Sequence, residues 1–180
     1  HISLDGYFVD SHGDMSWAHK QDEEWSAFAS QNAGRGGMLL FGRVTYDMMA
    51  SFWPTEQARQ MLPAVAEAMN RAPKVVFSRT LDRAGWQNTR LVKEDIASEV
   101  RRMKAAEGRP DMVILGSGSI VAQLSAENLI DTYQIVVNPV ALGAGRTLFA
   151  GLPQRLDLRL RQSRAFQNGN VVLTYDAVPR

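Results

Sequence analysis

The chain contains no cysteine, and that absence excludes several kinds of chemistry at once. Its 180 residues carry no disulfide, no thiolate nucleophile and no cysteine-ligated metal. Histidine is also scarce: His1, His12 and His19 do not have the i, i+4 spacing of a helical metal site. We therefore predict no metal site, and we expect these histidines to be solvated or to form local hydrogen bonds.

Long apolar runs and an excess of one charge are missing too. No apolar segment approaches the ~20 residues that cross a bilayer, and 20 basic against 19 acidic residues leave a net charge of +1. We therefore expect neither a nucleic-acid nor a membrane partner. The composition is typical of a single globular domain over residues 1–180, and the lack of cysteine suits a reducing cytoplasm. Because the sequence opens at His1 inside a predicted strand, we expect further residues to precede it.

Apolar runs alternate with segments of helical periodicity, which predicts an α/β fold with a mostly parallel sheet. The predicted strands are 1–4, 38–41, 74–78, 88–92, 111–115, 131–137, 155–165 and 170–177. The predicted helices are 21–33, 44–51, 61–72, 93–107 and 118–125. The third helix starts or breaks at Pro63. In the seventh strand Leu156, Leu158 and Leu160 alternate with charged residues, so one face should meet water, and the turn at 167–170 predicts an antiparallel C-terminal hairpin.

Two glycine turns follow predicted buried strands. The first is at Gly42, and the second is Gly116-Ser117-Gly118-Ser119-Ile120. Glycine lets the backbone approach a ligand closely, and a helix that starts there offers unpaired N–H groups to an anion. In the second turn the N–H groups of Ser117 to Ile120 and the serine hydroxyls are candidate donors to a pyrophosphate. Two such turns favour a dinucleotide, and the alternative for each is a plain tight turn.

The segment Ser78-Arg79-Thr80 indicates which dinucleotide would bind. A fold specific for NAD usually places an acidic residue near this point, whereas hydroxyls and a guanidinium favour a 2′-phosphate. Arg43, at the head of the neighbouring helix, is placed to reach the same phosphate. The alternative is that Arg79 is a solvated loop residue.

The order of these pieces resembles the dihydrofolate reductase fold, specifically the branch related to the reductase domain of riboflavin biosynthesis. The matching segments are 3–7, 42–46, 74–80, 116–119, 129–131 and 138–145. The resemblance implies a three-layer α/β fold with helices on both faces of a mostly parallel central sheet. It also implies NADPH and hydride transfer to a pterin, a pyrimidine such as 5-amino-6-(5-phosphoribosylamino)uracil, or a related planar heterocycle. A homodimer is implied as well, and a non-catalytic NADPH-binding module or sensor is the alternative function.

The resemblance further implies roles for individual residues. The NADPH-binding residues would be Gly42, Arg43, Thr45, Ser78, Arg79, Thr80, Gly116, Ser117, Gly118, Ser119, Ile120, Leu142 and Gly143. The substrate would contact Asp5, Gly6 and Trp17, and Asp5 or Asp22 would relay a proton as the catalytic acid. Each assignment has a structural alternative: Asp5 would stabilise a turn, Asp22 would suit the start of a helix, and Trp17 would pack in the core.

Overall fold

The computed structural model describes residues 1–18 and 22–178, which group into two compact units. The central unit is Ala27–Ile120, and the terminal unit combines His1–Ser26 with Val121–Arg180. The prediction for His19 and the predicted helix start at residue 21 lie outside the described residues. The single domain over residues 1–180 stays a prediction.

The alternation of strands and helices that the sequence predicts is confirmed. The elements are β1 Tyr7–Val9, α1 Glu23–Gly34, β2 Met38–Gly42, α2 Arg43–Phe52, α3 Glu56–Met61, α4 Pro63–Arg71, β3 Lys74–Phe77, β4 Thr89–Val92, α5 Ile96–Ala105, β5 Met112–Ile114, α6 Gly118–Ala126, β6 Thr132–Val137, β7 Arg146–Thr147, β8 Leu158–Ala165 and β9 Val171–Ala177. A 3-10 turn, Ser16–Ala18, precedes α1. Within the described ranges, every helix is too short or too polar to span a membrane.

The central unit is built on a four-stranded parallel sheet in the order β4-β3-β2-β5. All of β3 and the middle of β2 are buried, as expected for strands covered on both faces. The core residues around them are Leu39, Phe41, Tyr46, Val65, Met69, Val76 and Trp86. Because β2 pairs in parallel with both β3 and β5, the carboxyl ends of these three strands meet at one edge of the sheet.

A buried lysine begins β3. Lys74 is 2% exposed, and its Nζ donates to the carbonyl oxygens of Asn70 at 3.1 Å, Ala72 at 2.7 Å and Gln87 at 3.2 Å. The ammonium also lies 4.4 Å from the centroid of the Trp86 ring. Asn70 and Ala72 carry carbonyls from the carboxyl end of α4, so the lysine caps that helix and complements its dipole.

The predicted helix 61–72 is two helices. Pro63 occupies the first turn of α4, where its missing N–H costs nothing. The preceding α3 was not predicted, because six residues are too few to establish a helical period. Its start is fixed by Thr55, whose side chain accepts a hydrogen bond from the Ala58 amide at 3.2 Å.

The terminal unit contains a three-stranded antiparallel sheet in the order β6-β9-β8. The predicted C-terminal hairpin is confirmed as β8 and β9. The predicted water-exposed face is present, and exposure extends to both faces, because seven of the eight residues of β8 are exposed and Leu160 is 54% exposed. A register shift between Leu160 and Gln162 breaks the two-residue alternation on which that prediction depended.

The predicted strand at residues 1–4 is wrong. Ile2 makes only an isolated parallel bridge to Val137. The chain then turns, since the Ser3 carbonyl accepts the Gly6 amide at 3.0 Å and Gly6 has a φ of +90°. The first strand is β1, which pairs antiparallel with β7. Gly145 precedes β7 because any Cβ there would overlap the Val9 carbonyl oxygen.

Candidate functional site

The carboxyl ends of β2 and β5 are joined by two of the predicted cofactor residues. Gly42 ends β2 and precedes α2, and its amide N–H donates to Ser117 Oγ at 2.8 Å. A Cβ on Gly42 would lie 3.4 Å from Ile120 Cγ1 and 3.5 Å from Ser117 Oγ. These are ordinary packing distances, and they show that the two glycine turns are immediate neighbours.

The second turn has an unusual backbone. Gly116 has a φ of +67° and Ser117 a φ of +60°. A non-glycine residue in this region costs about 1 kcal/mol, and such residues cluster at ligand sites. The Ile120 amide donates to the Ser117 carbonyl at 2.8 Å, so this N–H is used inside the turn rather than offered to a pyrophosphate as predicted. The Ser117 hydroxyl accepts from Gly42 and keeps its own proton for donation.

The amino end of α2 lies beside this turn. Its N-cap is Gly42, no side chain in the described part of the chain caps it, and its first turn contains no acidic residue. Thr45 is close to Gly116, since a Cβ on that glycine would lie 3.6 Å from Thr45 Cγ2 and 3.8 Å from Thr45 Oγ1. An uncapped helix start next to a glycine turn suits an anion.

The loop after β3 is ordered by its serine. Ser78 Oγ accepts the amide of Thr80 at 3.3 Å and that of Leu81 at 3.0 Å. The Ser78 amide donates to the Val92 carbonyl at 3.0 Å. This local turn fixes the backbone on both sides of Arg79, whose side chain is exposed.

Neither predicted phosphate-binding arginine is held by a strong partner. Arg43 Nη1 lies 3.4 Å from Asp47 Oδ2, and both side chains are about half exposed. Such surface pairs contribute roughly 0–1 kcal/mol. Arg79 forms no hydrogen bond or ion pair with any described residue. Its charge helps to lower the pKa of Asp95, although hydrogen bonds from Ser98 are the main cause.

In the terminal unit, Asp5 anchors a loop. Its carboxylate accepts hydrogen bonds from Ser3 Oγ at 2.6 Å, the Gly143 amide at 2.7 Å and the Leu142 amide at 3.1 Å. These bonds, that from Ser3 above all, lower the pKa of Asp5 to about 2. A carboxylate of this pKa carries no proton near neutral pH. The geometry favours the turn-stabilising alternative, and the catalytic role of Asp5 stays a prediction.

Asp22 is also used structurally. Its Oδ1 accepts the Trp25 amide at 2.6 Å, which caps the start of α1 and favours the helix-start alternative. Glu24 lies 2.9 Å from Arg164 and accepts the Gln167 amide at 3.2 Å. The bond from Arg164 is the main cause of the lowered pKa of Glu24. The proton relay at Asp22 stays a prediction.

Trp17 and Gly6 complete the predicted substrate residues. Trp17 is half-buried, and its indole N–H donates to the Asp14 carbonyl at 3.2 Å. Among the described residues, no atom lies within 4 Å of a Cβ placed on Gly6. Their contacts with a substrate stay predictions.

The family of the chain follows from comparison with known proteins. A family profile described as the RibD C-terminal domain matches residues 1–172. The chain belongs to the RibD C-terminal domain family. This RibD C-terminal domain is similar to two uncharacterized proteins of Bacillus subtilis (strain 168). It is 26% identical to YyaP over 175 residues, covering 97% of this chain and 90% of YyaP. It is 25% identical to YwjB over 165 residues, covering 92% of this chain and 88% of YwjB.

Solved structures agree with this assignment. A putative riboflavin biosynthesis protein from Shewanella sp. PV-4 is 27% identical with a TM-score of 0.74, covering 99% of this chain and 96% of that one. A pyrimidine reductase-like protein from Corynebacterium diphtheriae, 12% identical, has a TM-score of 0.66 with coverages of 99% and 90%. RibD of Acinetobacter baumannii, 14% identical, has a TM-score of 0.65, and this domain spans 57% of that chain. The last two show the fold alone, and the predicted fold is confirmed.

The structure therefore brings one part of the predicted RibD C-terminal site together. Gly42, Thr45 and the turn 116–120 are neighbours, and Ser78 follows the adjacent strand. In the terminal unit, Leu142 and Gly143 lie against Asp5. Sequence reasoning missed Ser3, which is fully buried and supports both Asp5 and the Tyr7 amide. The Ser-x-Asp-Gly spacing before β1 was the available signal. The homodimer stays a prediction.

Proposed function

We propose that this domain is an NADPH-dependent reductase that transfers hydride to a planar heterocycle, such as a pterin or a pyrimidine. The observation that carries the proposal is the hydrogen bond from the Gly42 amide to Ser117 Oγ. It holds two glycine turns together at the carboxyl ends of neighbouring parallel strands, each followed by a helix. Dinucleotides bind at such edges in open α/β sheets. Membership of the RibD C-terminal domain family supports the same reaction class.

NADPH rather than NADH is favoured by the loop after β3. Ser78 and Thr80 supply hydroxyls and Arg79 an exposed guanidinium without a carboxylate partner among the described residues. Arg43 supplies a second guanidinium that only a weak surface pair engages. These groups match a 2′-phosphate, whereas a ribose hydroxyl calls for an acid. The cofactor supplies the hydride, and the chain binds and orients it.

The test is calorimetric titration of the wild type and two arginine variants with NADPH and NADH. We expect Arg79→Ala to weaken NADPH binding by roughly 1.5–3 kcal/mol, the range for a hydrogen bond to a charged group, and to leave NADH binding nearly unchanged. Arg83→Ala is the matched control, because Arg83 is an exposed cation in the same connection. Equal affinities of the wild type for the two cofactors would refute the phosphate assignment. No binding of either would refute the reductase.

A specific observation favours a second candidate, a non-catalytic NADPH-binding module or sensor. Both acids predicted to relay a proton, Asp5 and Asp22, are engaged in structural hydrogen bonds. The two candidates differ in turnover. NADPH oxidation, followed by nicotinamide absorbance over a panel of pterins and pyrimidines, would establish the reductase, whereas tight binding without oxidation would establish the module.

A further inference from the structure

Two buried asparagines in the terminal unit carry amide atoms without hydrogen-bond partners. Asn138 is 1% exposed and Asn170 is fully buried. Asn138 Oδ1, Asn170 Oδ1 and Asn170 Nδ2 are each buried, and none has a partner among the described residues. Leaving such a group unpaired costs about 1–3 kcal/mol, so three on two residues require an explanation.

The orientation of Asn138 is fixed. Its Nδ2 donates to the Ile2 carbonyl at 3.0 Å and to the Val136 carbonyl at 3.3 Å. Rotating the amide would place Oδ1 against two carbonyl oxygens, so the unpaired atom is the oxygen. Asn170, in contrast, uses only its backbone: its amide donates to Asn168 Oδ1, and its carbonyl accepts from Phe166.

The two side chains lie opposite each other. The β6–β9 ladder ends at the pair Val137–Val171, and continuing its register by one residue would set Asn138 opposite Asn170. The strands stay close beyond it, since a Cβ on Gly169 would lie 3.0 Å from Pro139 Cγ. Directly opposed residues point to the same face with Cβ atoms about 5 Å apart. On this register the two side chains would lie on the same face of the sheet, and their unpaired atoms do not bond to each other.

We propose that a single buried water molecule bridges Asn138 and Asn170. It donates one hydrogen to Asn138 Oδ1 and the other to Asn170 Oδ1, and it accepts a hydrogen bond from Asn170 Nδ2. This arrangement satisfies all three unpaired atoms and gives the water three bonds, the typical number for a buried water. Both side chains are almost completely covered, so the proposed water is closed off from bulk solvent.

The water site holds one end of a loop that Asp5 holds at the other. The Val140 amide donates to the Asn138 carbonyl at 2.8 Å, while the amides of Leu142 and Gly143 donate to Asp5. Asn138 and Asn170 are thus positioning residues for segment 138–143. The water site does not depend on the proposed function.

The test counts long-lived internal waters by oxygen-17 magnetic relaxation dispersion. We expect Asn170→Leu to lose one such water relative to the wild type and to speed hydrogen exchange of the Val140 amide. Thr174→Val is the matched control, because Thr174 is a buried polar residue four positions after Asn170. Its replacement should leave the number of long-lived waters unchanged. An unchanged count in a folded Asn170→Leu variant would overturn the proposal.

A crystal structure of the wild type keeps the test independent of any variant that fails to fold. Ordered density within hydrogen-bond distance of Asn138 Oδ1 and both amide atoms of Asn170 would support the water. A direct bond from Asn170 Nδ2 to Asn138 Oδ1 without such density would refute it.

Discussion

The buried Lys74 predicts a specific dependence of stability on pH. Burial lowers the pKa of Lys74 to about 8, whereas an unfolded lysine titrates near about 10.4. Between these values the unfolded chain binds more protons than the folded one, so the free energy of unfolding rises with pH across this window. The difference between the two pKa values corresponds to a change of at most about 3 kcal/mol in the free energy of unfolding.

Lys74→Met removes the titrating group and keeps most of the apolar stem. It leaves the Ala72 carbonyl without its hydrogen bond, at a cost of about 1–3 kcal/mol. The Asn70 carbonyl keeps bonds from Gln87 and Asn88. Near pH 7 this loss is offset by removal of a buried charge, so the two proteins should differ by no more than about 2 kcal/mol.

The assay is guanidinium chloride unfolding of both proteins at several pH values from 7 to about 10, followed by tryptophan fluorescence. We expect the stability of the wild type relative to Lys74→Met to increase steadily above pH 8, by up to about 3 kcal/mol. The exposed Lys93, replaced by Met, controls for the loss of a lysine. A difference that stays flat or shrinks with rising pH would refute this reasoning.

Three further predictions concern single contacts. Asp5→Asn should destabilise the protein at neutral pH, and the difference in stability from the wild type should disappear as the pH falls from about 4 to 2. A difference in thermal unfolding that stays the same at every pH would contradict this. Ser117→Gly should be more stable than Ser117→Ala by about 1 kcal/mol, since both lose the bond from Gly42 and only glycine relieves the positive φ; equal melting temperatures would contradict it. Gly145→Ala should cost at least about 2 kcal/mol in denaturant unfolding, through overlap with the Val9 carbonyl. Gly151→Ala, with a positive φ and open space, should cost about 1–2 kcal/mol, and an equal loss in the two would argue against the overlap.

The parallel sheet was predictable because a strand that is buried on both faces has apolar residues at nearly every position. The runs at 38–41 and 74–77 are nearly continuous apolar segments, and each forms a strand. The hairpin was predictable from its Asn-Gly turn. In contrast, β7 has two residues and α3 has six, lengths at which no periodicity can be detected.

The candidate site was predictable as a set of segments and not as a set of contacts. Glycine turns after buried strands identified Gly42 and Gly116. Ser117 accepts a hydrogen bond from Gly42, which is remote in sequence, and no local signal identified this contact. Likewise, the donors that lower the pKa of Asp5 include Leu142 and Gly143 from the far end of the chain. Such effects depend on tertiary structure, which local pattern does not encode.

The division of the chain into two units has a consequence for biosynthesis. All four strands of the parallel sheet lie within residues 27–120, so they are synthesised before β6 is made. Ile2 and Asp5 gain their partners only later in synthesis, because Ile2 pairs with Val137 and Asp5 binds the amides of Leu142 and Gly143. Closing a loop of this length carries an entropic cost that only late contacts repay. During translation residues 1–9 therefore stay without these partners, and their unpaired backbone groups need protection from other nascent chains.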